Sequence, residues 1–180
     1  QLPVIPLGLE CEDFAFTTEE RDQARASIGA RPDTVVVLFM GRLSFHAKAH
    51  PAAMYRALAE ASRHTSKDVM LVECGWHAND YIRDAFAEGA GEIAGVPTLT
   101  LDGRDAAQRQ TAWAAADIFC SLSDNIQETF CITPIEAMAA GLPVVVTDWD
   151  GYRDTVRDGV DGFRIPTIMP AAGMGGDLAA

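Results

Sequence analysis

Four side chains have the types and spacing for chemistry. Glu128 and Glu136 have seven residues between them, and Arg42 and Lys48 have five. The two acids bracket the start of a predicted helix, with Glu128 in the loop before it and Glu136 in its first turn. Both carboxylates can then reach one point in front of the helix N-terminus. That end carries unpaired backbone N–H groups and a partial positive charge, so it suits an anion such as phosphate. Carboxylates beside an anion site fit a ligand that carries hydroxyls as well as phosphates, a nucleotide sugar. Arg42 can grip phosphate oxygens with its fork and Lys48 can add a point charge. Each residue also has a plainer reading. Thr133-x-x-Glu136 is a capping box, Glu128 a solvated loop residue, and Arg42 and Lys48 surface cations.

These residues need a scaffold, and the sequence offers strand–helix alternation. Thr34–Met40 (TVVVLFM) is an apolar run without polar alternation, as in a strand covered on both faces. Gly41-Arg42 then makes a turn, and Pro51 opens a helix to about His64. A strand, a glycine turn with basic residues, then a helix is where open α/β sheets bind phosphate. Before this, Thr18 caps a short helix that Gly29 ends. After it come a strand over Asp68–Cys74, a turn at Gly75-Trp76-His77 and a helix from Asn79 to Glu88, broken by Gly89 and Gly91. Val96–Leu101 is a third strand, Asp105–Ala116 a helix with Trp113 on its core side, and Asp117–Leu122 a fourth strand. Then follows the stretch Gln127–Gly151. Thr133 caps its helix, Pro134 fits the first turn, Gly141 ends it, and Val144–Val146 is a fifth, buried strand. A helix from Asp148 to Arg157, a tight turn at 158–162 and a strand at Phe163–Ile165 close the domain. The alternation predicts a doubly wound parallel sheet.

The bulk properties narrow the class. The chain has 180 residues, 48% hydrophobic and 22% charged, ordinary for one globular domain. Its formal charge of −12 argues against non-specific contact with nucleic acid or an anionic membrane. No apolar run is long enough to span a bilayer, and the start QLPVIPLGLE lacks signal-peptide features, so the expected compartment is the cytoplasm. Cys11, Cys74, Cys120 and Cys131 form no C-x-x-C pair and read as free thiols. His46 and His50 are four apart, but no third ligand lies nearby and Pro51 places the helix start after them, so no metal site is predicted. There is no dinucleotide-binding GxGxxG after the first strand and no Walker motif.

The run Glu136-Ala137-Met138-Ala139-Ala140-Gly141-Leu142-Pro143-Val144-Val145, with Glu128 ahead of it, resembles the signature of the family-four retaining glycosyltransferases of GT-B fold. Gly41-Arg42 with Lys48 resembles that family's diphosphate-binding pattern, and Val4-Ile5-Pro6-Leu7-Gly8 its interdomain hinge. The sequence departs from the family at Cys131, Ala49, Leu7 and Asp154, where Gly, Gly, Asn and Glu are usual. The long match favours function over the plainer reading of each residue.

The resemblance implies residues 1–16 as hinge, 17–166 as a nucleotide-sugar-binding domain and 167–180 as a loose tail, the N-terminal acceptor domain being absent. It implies a Rossmann-like half of a GT-B fold, from a parent retaining hexosyltransferase that is metal-independent and needs no cofactor. Arg42, Lys48 and Glu128 would be catalytic. Gly41, Arg42, Lys48, Gly103, Arg104, Glu128, Thr129, Phe130, Cys131, Ile132 and Glu136 would bind the donor, with Gly103 and Arg104 on its base, Glu128 on the sugar and Glu136 on the ribose. The expected partners are the donor and the missing N-terminal domain, and the domain alone is expected to be inactive. A GT-B epimerase or phosphorylase domain, or a receiver-like signalling module, remain alternatives at this point. Arg42 counts against the receiver, which needs clustered acids after its first strand.

Overall fold

The computed structural model describes residues 7–125 and 128–168. The start of the linker, Ile126 and Gln127 before Glu128, and most of the tail lie outside the described residues. In chain order the elements are α1 (Thr18–Ser27), β1 (Val35–Leu43), α2 (Ala52–Arg63), β2 (Val69–His77), α3 (Asp80–Gly89), β3 (Thr98–Asp102), α4 (Ala106–Ala115), β4 (Ile118–Ser121), α5 (Ile132–Ala139), β5 (Val144–Thr147), α6 (Asp150–Thr155) and β6 (Gly162–Ile165). The strands form one parallel sheet in the order β3-β2-β1-β4-β5-β6. The order reverses between β1 and β4, so the loops leaving those strands diverge and open a crevice at the C-terminal edge.

Both faces of the sheet are covered, which is why its strands read as unbroken apolar runs. Val36, Leu38 and Phe119 pack with Ala24 of α1, Trp113 of α4, Ala137 of α5 and Tyr152 of α6. Val37, Phe39 and Leu71 pack on the other face with Tyr55 and Leu58 of α2 and Ile82 and Phe86 of α3. Trp113 is 3% exposed and belongs to the core, as its helix position predicts. The linker ends in a 3-10 turn, Cys11–Phe14, whose Phe14 ring meets Trp113 edge-on at 5.9 Å.

Several boundaries differ from the sequence reading. The cap of α1 is Thr17, not Thr18. Its side chain accepts the Glu20 amide while Glu20 returns a bond to the Thr17 backbone, a full capping box. Gly75-Trp76-His77 is not a turn but the end of β2, paired with Gly41-Arg42-Leu43 of β1. Adjacent glycines make this possible, because a Cβ on Gly75 would lie 1.9 Å from the Gly41 carbonyl oxygen. Gly89 and Gly91 do not break the helix. The chain runs on through a wider turn, Ala90–Ala94, and stops at Gly95. Gly141 does end α5, with the Leu142 amide on the Ala137 carbonyl at 2.9 Å and the Gly141 amide on Met138 at 3.0 Å.

Candidate functional site

The cation loop grows directly from β1. Beyond Leu43 the chain turns so that the Lys48 amide donates to the Ser44 carbonyl at 3.0 Å. This folds Lys48 back over the strand end, where its Cε lies 3.4 Å from the place a Gly41 Cβ would occupy. Strand alternation puts Arg42 on the opposite face from Gly41. Arg42 is exposed, and among the described residues its side chain makes no hydrogen bond or ion pair. His46 sits on the turn and His50 before Pro51, so the two do not share a helical face.

The carboxylate loop leaves β4, next to β1 in the sheet. Glu128 is only 9% exposed. Its carboxylate accepts a hydrogen bond from the Lys48 ammonium. The Ser123 Oγ lies 3.0 Å from the same carboxylate oxygen and 2.9 Å from the Lys48 carbonyl. Burial alone would raise the Glu128 pKa, but Lys48, with smaller help from Cys131 and Ser123, holds it below the ordinary carboxylate value. Gly151 of α6 lets the loop pass close by. Its amide donates to the Glu128 carbonyl at 3.4 Å, and a Cβ there would lie 2.0 Å from the Thr129 carbonyl oxygen.

The head of α5 differs from the predicted cap. Cys131, not Thr133, precedes the first helical residue, Ile132, and no side chain caps the helix. Cys131 sits at φ 59°, a conformation that favours glycine, and its thiol donates to the Glu128 carbonyl at 3.5 Å. The thiol pKa is pushed up by burial and then by the neighbouring Glu128 charge, which disfavours the thiolate. Thr129 is exposed and Phe130 half-buried at the mouth of the loop. Glu136 lies in the second turn of α5 rather than the first, and its side chain makes no capping bond to the helix start. Burial raises its pKa, and the Arg109 guanidinium partly offsets this.

Arg109 of α4 also donates to the Gly103 carbonyl at 2.8 Å. It therefore links the Glu136 neighbourhood to the loop after β3. In that loop the Gly103 amide is spent on the Gly75 carbonyl at 2.8 Å. The Arg104 amide and guanidinium are both held by the Asp102 carboxylate at 2.9 Å. Those two backbone donors are thus already satisfied within the protein. A polar cleft of about 560 Å³ opens beside them, lined by Trp76, His77, Asn79, Asp102, Arg104 and Gln108.

The structure brings Lys48, Gly41 and Glu128 together, and places Glu136 with Arg109 and the Gly103 loop. It gives Arg42 and Arg104 no contact with either carboxylate. Sequence reasoning missed Ser123, Arg109 and Trp76. A lone serine in a polar loop and one arginine on an amphipathic helix carry no spacing signal. Trp76 sits in a stretch with the composition of a turn but lies in β2.

Residues 20–171 match the model of the family described as glycosyl transferases group 1. A phosphatidyl-myo-inositol mannosyltransferase of Mycobacterium tuberculosis is 32% identical over 92% of this chain and 40% of its own length. A D-inositol 3-phosphate glycosyltransferase of Actinosynnema mirum is 31% identical over 90% of this chain and 39% of its own. The chain thus spans about two fifths of the length of these curated relatives. Among solved structures, Anabaena Alr3699/HepE in complex with UDP and glucose superposes with a TM-score of 0.66 at 23% identity, over 89% of this chain and 41% of that one. A glycosyltransferase from Rickettsia africae superposes with 0.70 at 16% identity, over 89% and 42%. These structural likenesses speak for the fold.

Proposed function

The chain belongs to the glycosyl transferases group 1 family, and from that membership we propose that it is the nucleotide-sugar donor-binding domain of a retaining, GT-B-type hexosyltransferase. The observation that carries the reading is the Lys48–Glu128 contact at the C-terminal edge of the sheet, beside the switch in strand order. It puts a cation for phosphate and an acceptor for sugar hydroxyls at one point, in front of an uncapped helix N-terminus.

In the proposed mechanism the anomeric carbon leaves its phosphate oxygen and bonds to an acceptor hydroxyl oxygen held outside this domain, and that hydroxyl gives up its proton to the departing phosphate. Negative charge grows on the departing diphosphate. Lys48, the exposed Arg42 and the α5 amides stabilise that charge without a metal ion, and losing one such cation would cost on the order of 2–4 kcal/mol in the transition state. Glu128 accepts from hydroxyls of the donor sugar, and Glu136, oriented with Arg109, from the ribose. The base lies in the cleft beside Gly103 and Arg104. Because its two amides are occupied, contact there runs through Trp76, carbonyls or side chains. Residues 17–166 form this domain, 1–16 lead into it, and catalysis needs a partner domain across the crevice.

Calorimetric titration with UDP, GDP, ADP and their hexose conjugates tests the reading. One base series should bind weakly, with added affinity from the sugar. The chain alone should transfer no hexose to any acceptor, and measurable turnover would overturn that part. Silence across the whole panel would overturn the donor-site assignment.

A further inference from the structure

Resting on that donor-site reading, we propose that Ser123 is a positioning residue whose hydroxyl swings its hydrogen bond from the Lys48 carbonyl to the Glu128 carboxylate when Lys48 turns to the donor phosphate, keeping the carboxylate charged and in place for the sugar.

The geometry is a conflict with one resolution. Ser123 is completely buried, with Oγ 2.9 Å from the Lys48 carbonyl and 3.0 Å from a Glu128 carboxylate oxygen. A hydroxyl has one proton to donate, and both neighbours are acceptors while Glu128 is ionised. The proton serves one of them at a time. In this structure Lys48 already serves the carboxylate, so the hydroxyl is free for the carbonyl. A diphosphate competes for the same ammonium. When Lys48 leaves, a buried carboxylate loses its counter-charge, which strongly favours protonation unless another donor arrives. Rotation about one bond brings the Ser123 proton over. The Lys48 carbonyl lies on a half-buried turn, where water can replace the lost bond.

The serine itself does not move. Its carbonyl accepts from Thr147 Oγ1 at the end of β5, which locks the start of the loop to the sheet. Two other titratable groups face this pair. Cys131 bonds to the Glu128 carbonyl and its thiol also helps to lower the carboxylate pKa, with Lys48 near or away, and Tyr152 of α6 shares its hydroxyl with Ser121 at 2.8 Å and lies beside Ser123. Asp150, beyond Cys131, is an acid that adds to the local negative charge.

Two measurements test the proposal. In the first, the Glu128 carboxyl is titrated by carbon-13 NMR without ligand, in Lys48→Ala and in Lys48→Ala/Ser123→Ala. The second midpoint should lie about one pH unit higher, and Lys48→Ala/Ser123→Thr should restore the first. Equal midpoints would overturn the proposal. In the second, UDP and UDP-glucose, and GDP and GDP-mannose, are titrated into the chain and into Ser123→Ala, in buffers of different ionisation enthalpy at pH 6. The variant should take up about half a proton on binding, where the parent takes up almost none, and should lose most of the affinity the sugar adds. A variant with parental proton uptake and sugar preference would overturn the proposal. Should Ser123→Ala be too unstable, Ser123→Cys, a weaker donor at the same place, gives the same comparison. A parent chain that binds none of the four removes the donor-site reading, whereas the ligand-free titration still judges the hold of Ser123 on Glu128.

Discussion

Lys48 and Glu128 lie eighty residues apart in the sequence and share a hydrogen bond at the C-terminal edge of the sheet. Strand order explains the meeting. β1 and β4 are neighbours, so the loops that leave them start side by side and then turn to opposite halves of the sheet. A largely buried carboxylate beside a largely buried ammonium is tolerable as a pair and costly as a remnant.

Removal of the ammonium is therefore a stability test as well as a binding test. Glu128 has its pKa lowered in the fold, so its contribution is present above the ordinary carboxylate value of 4.5 and lost as pH falls through the folded value. Lys48→Met should lose about 1–3 kcal/mol at pH 7. The gap to the parent should shrink between pH 7 and a pH below 4.5, as the carboxylate becomes protonated. Urea unfolding at the two pH values checks this.

Glu73 gives the opposite sign. It is 2% exposed in the middle of β2, accepts the Tyr55 hydroxyl at 2.7 Å, and burial raises its pKa from 4.5 to about 7. Its raised pKa favours the fold most below the unfolded value, and that contribution falls away as pH rises toward the folded one. Glu73→Gln keeps the acceptor and removes the charge. It should stabilise the chain by about 1–3 kcal/mol at pH 8 and change little at pH 4.5. Thermal unfolding across that range is the readout.

Cys131 stands at φ 59° where glycine is at ease. A β-branched side chain there meets more of the backbone than a thiol does. Cys131→Val should be less stable than Cys131→Gly by about 2 kcal/mol. Denaturant midpoints of the two variants decide it, and equal midpoints would mean that the turn relaxes freely.

The sheet was legible because a strand covered on both faces leaves an unbroken apolar run, as at Val35–Met40 and Val69–Cys74. Its ends were not. Gly75-Trp76-His77 has the composition of a turn and becomes strand only because Gly41 lies alongside it, a fact of register that no local pattern carries. The capping box at Thr133 and Glu136 is present as a pattern and unused, because Cys131 starts the helix from a left-handed turn. The long signature singled out Glu128 and Glu136, and the Gly41-Arg42 pattern singled out Lys48. Ser123 and Arg109 were invisible because the groups they serve, the Lys48 and Gly103 carbonyls and the Glu128 and Glu136 carboxylates, are brought near them only by the fold.

Arg25 anchors the scaffold away from the site. Its buried guanidinium donates to the Ala115 carbonyl and to Asp117, each at 2.9 Å, and to the carbonyls of Arg31 and Thr34. Arg25→Ala leaves these acceptors facing each other and should cost about 3 kcal/mol of stability. Nucleotide affinity, measured where the variant is still folded, should match the parent.

The central claim is that Lys48 and Glu128 form one donor site. A double-mutant cycle with Lys48→Met, Glu128→Gln and the pair, titrated with the best-bound nucleotide sugar, tests it most directly. The account predicts that each single variant weakens binding by at least about tenfold, and that the double variant loses less than the sum, a coupling above about 1 kcal/mol. Parental affinity in both single variants, or strictly additive losses, would contradict it.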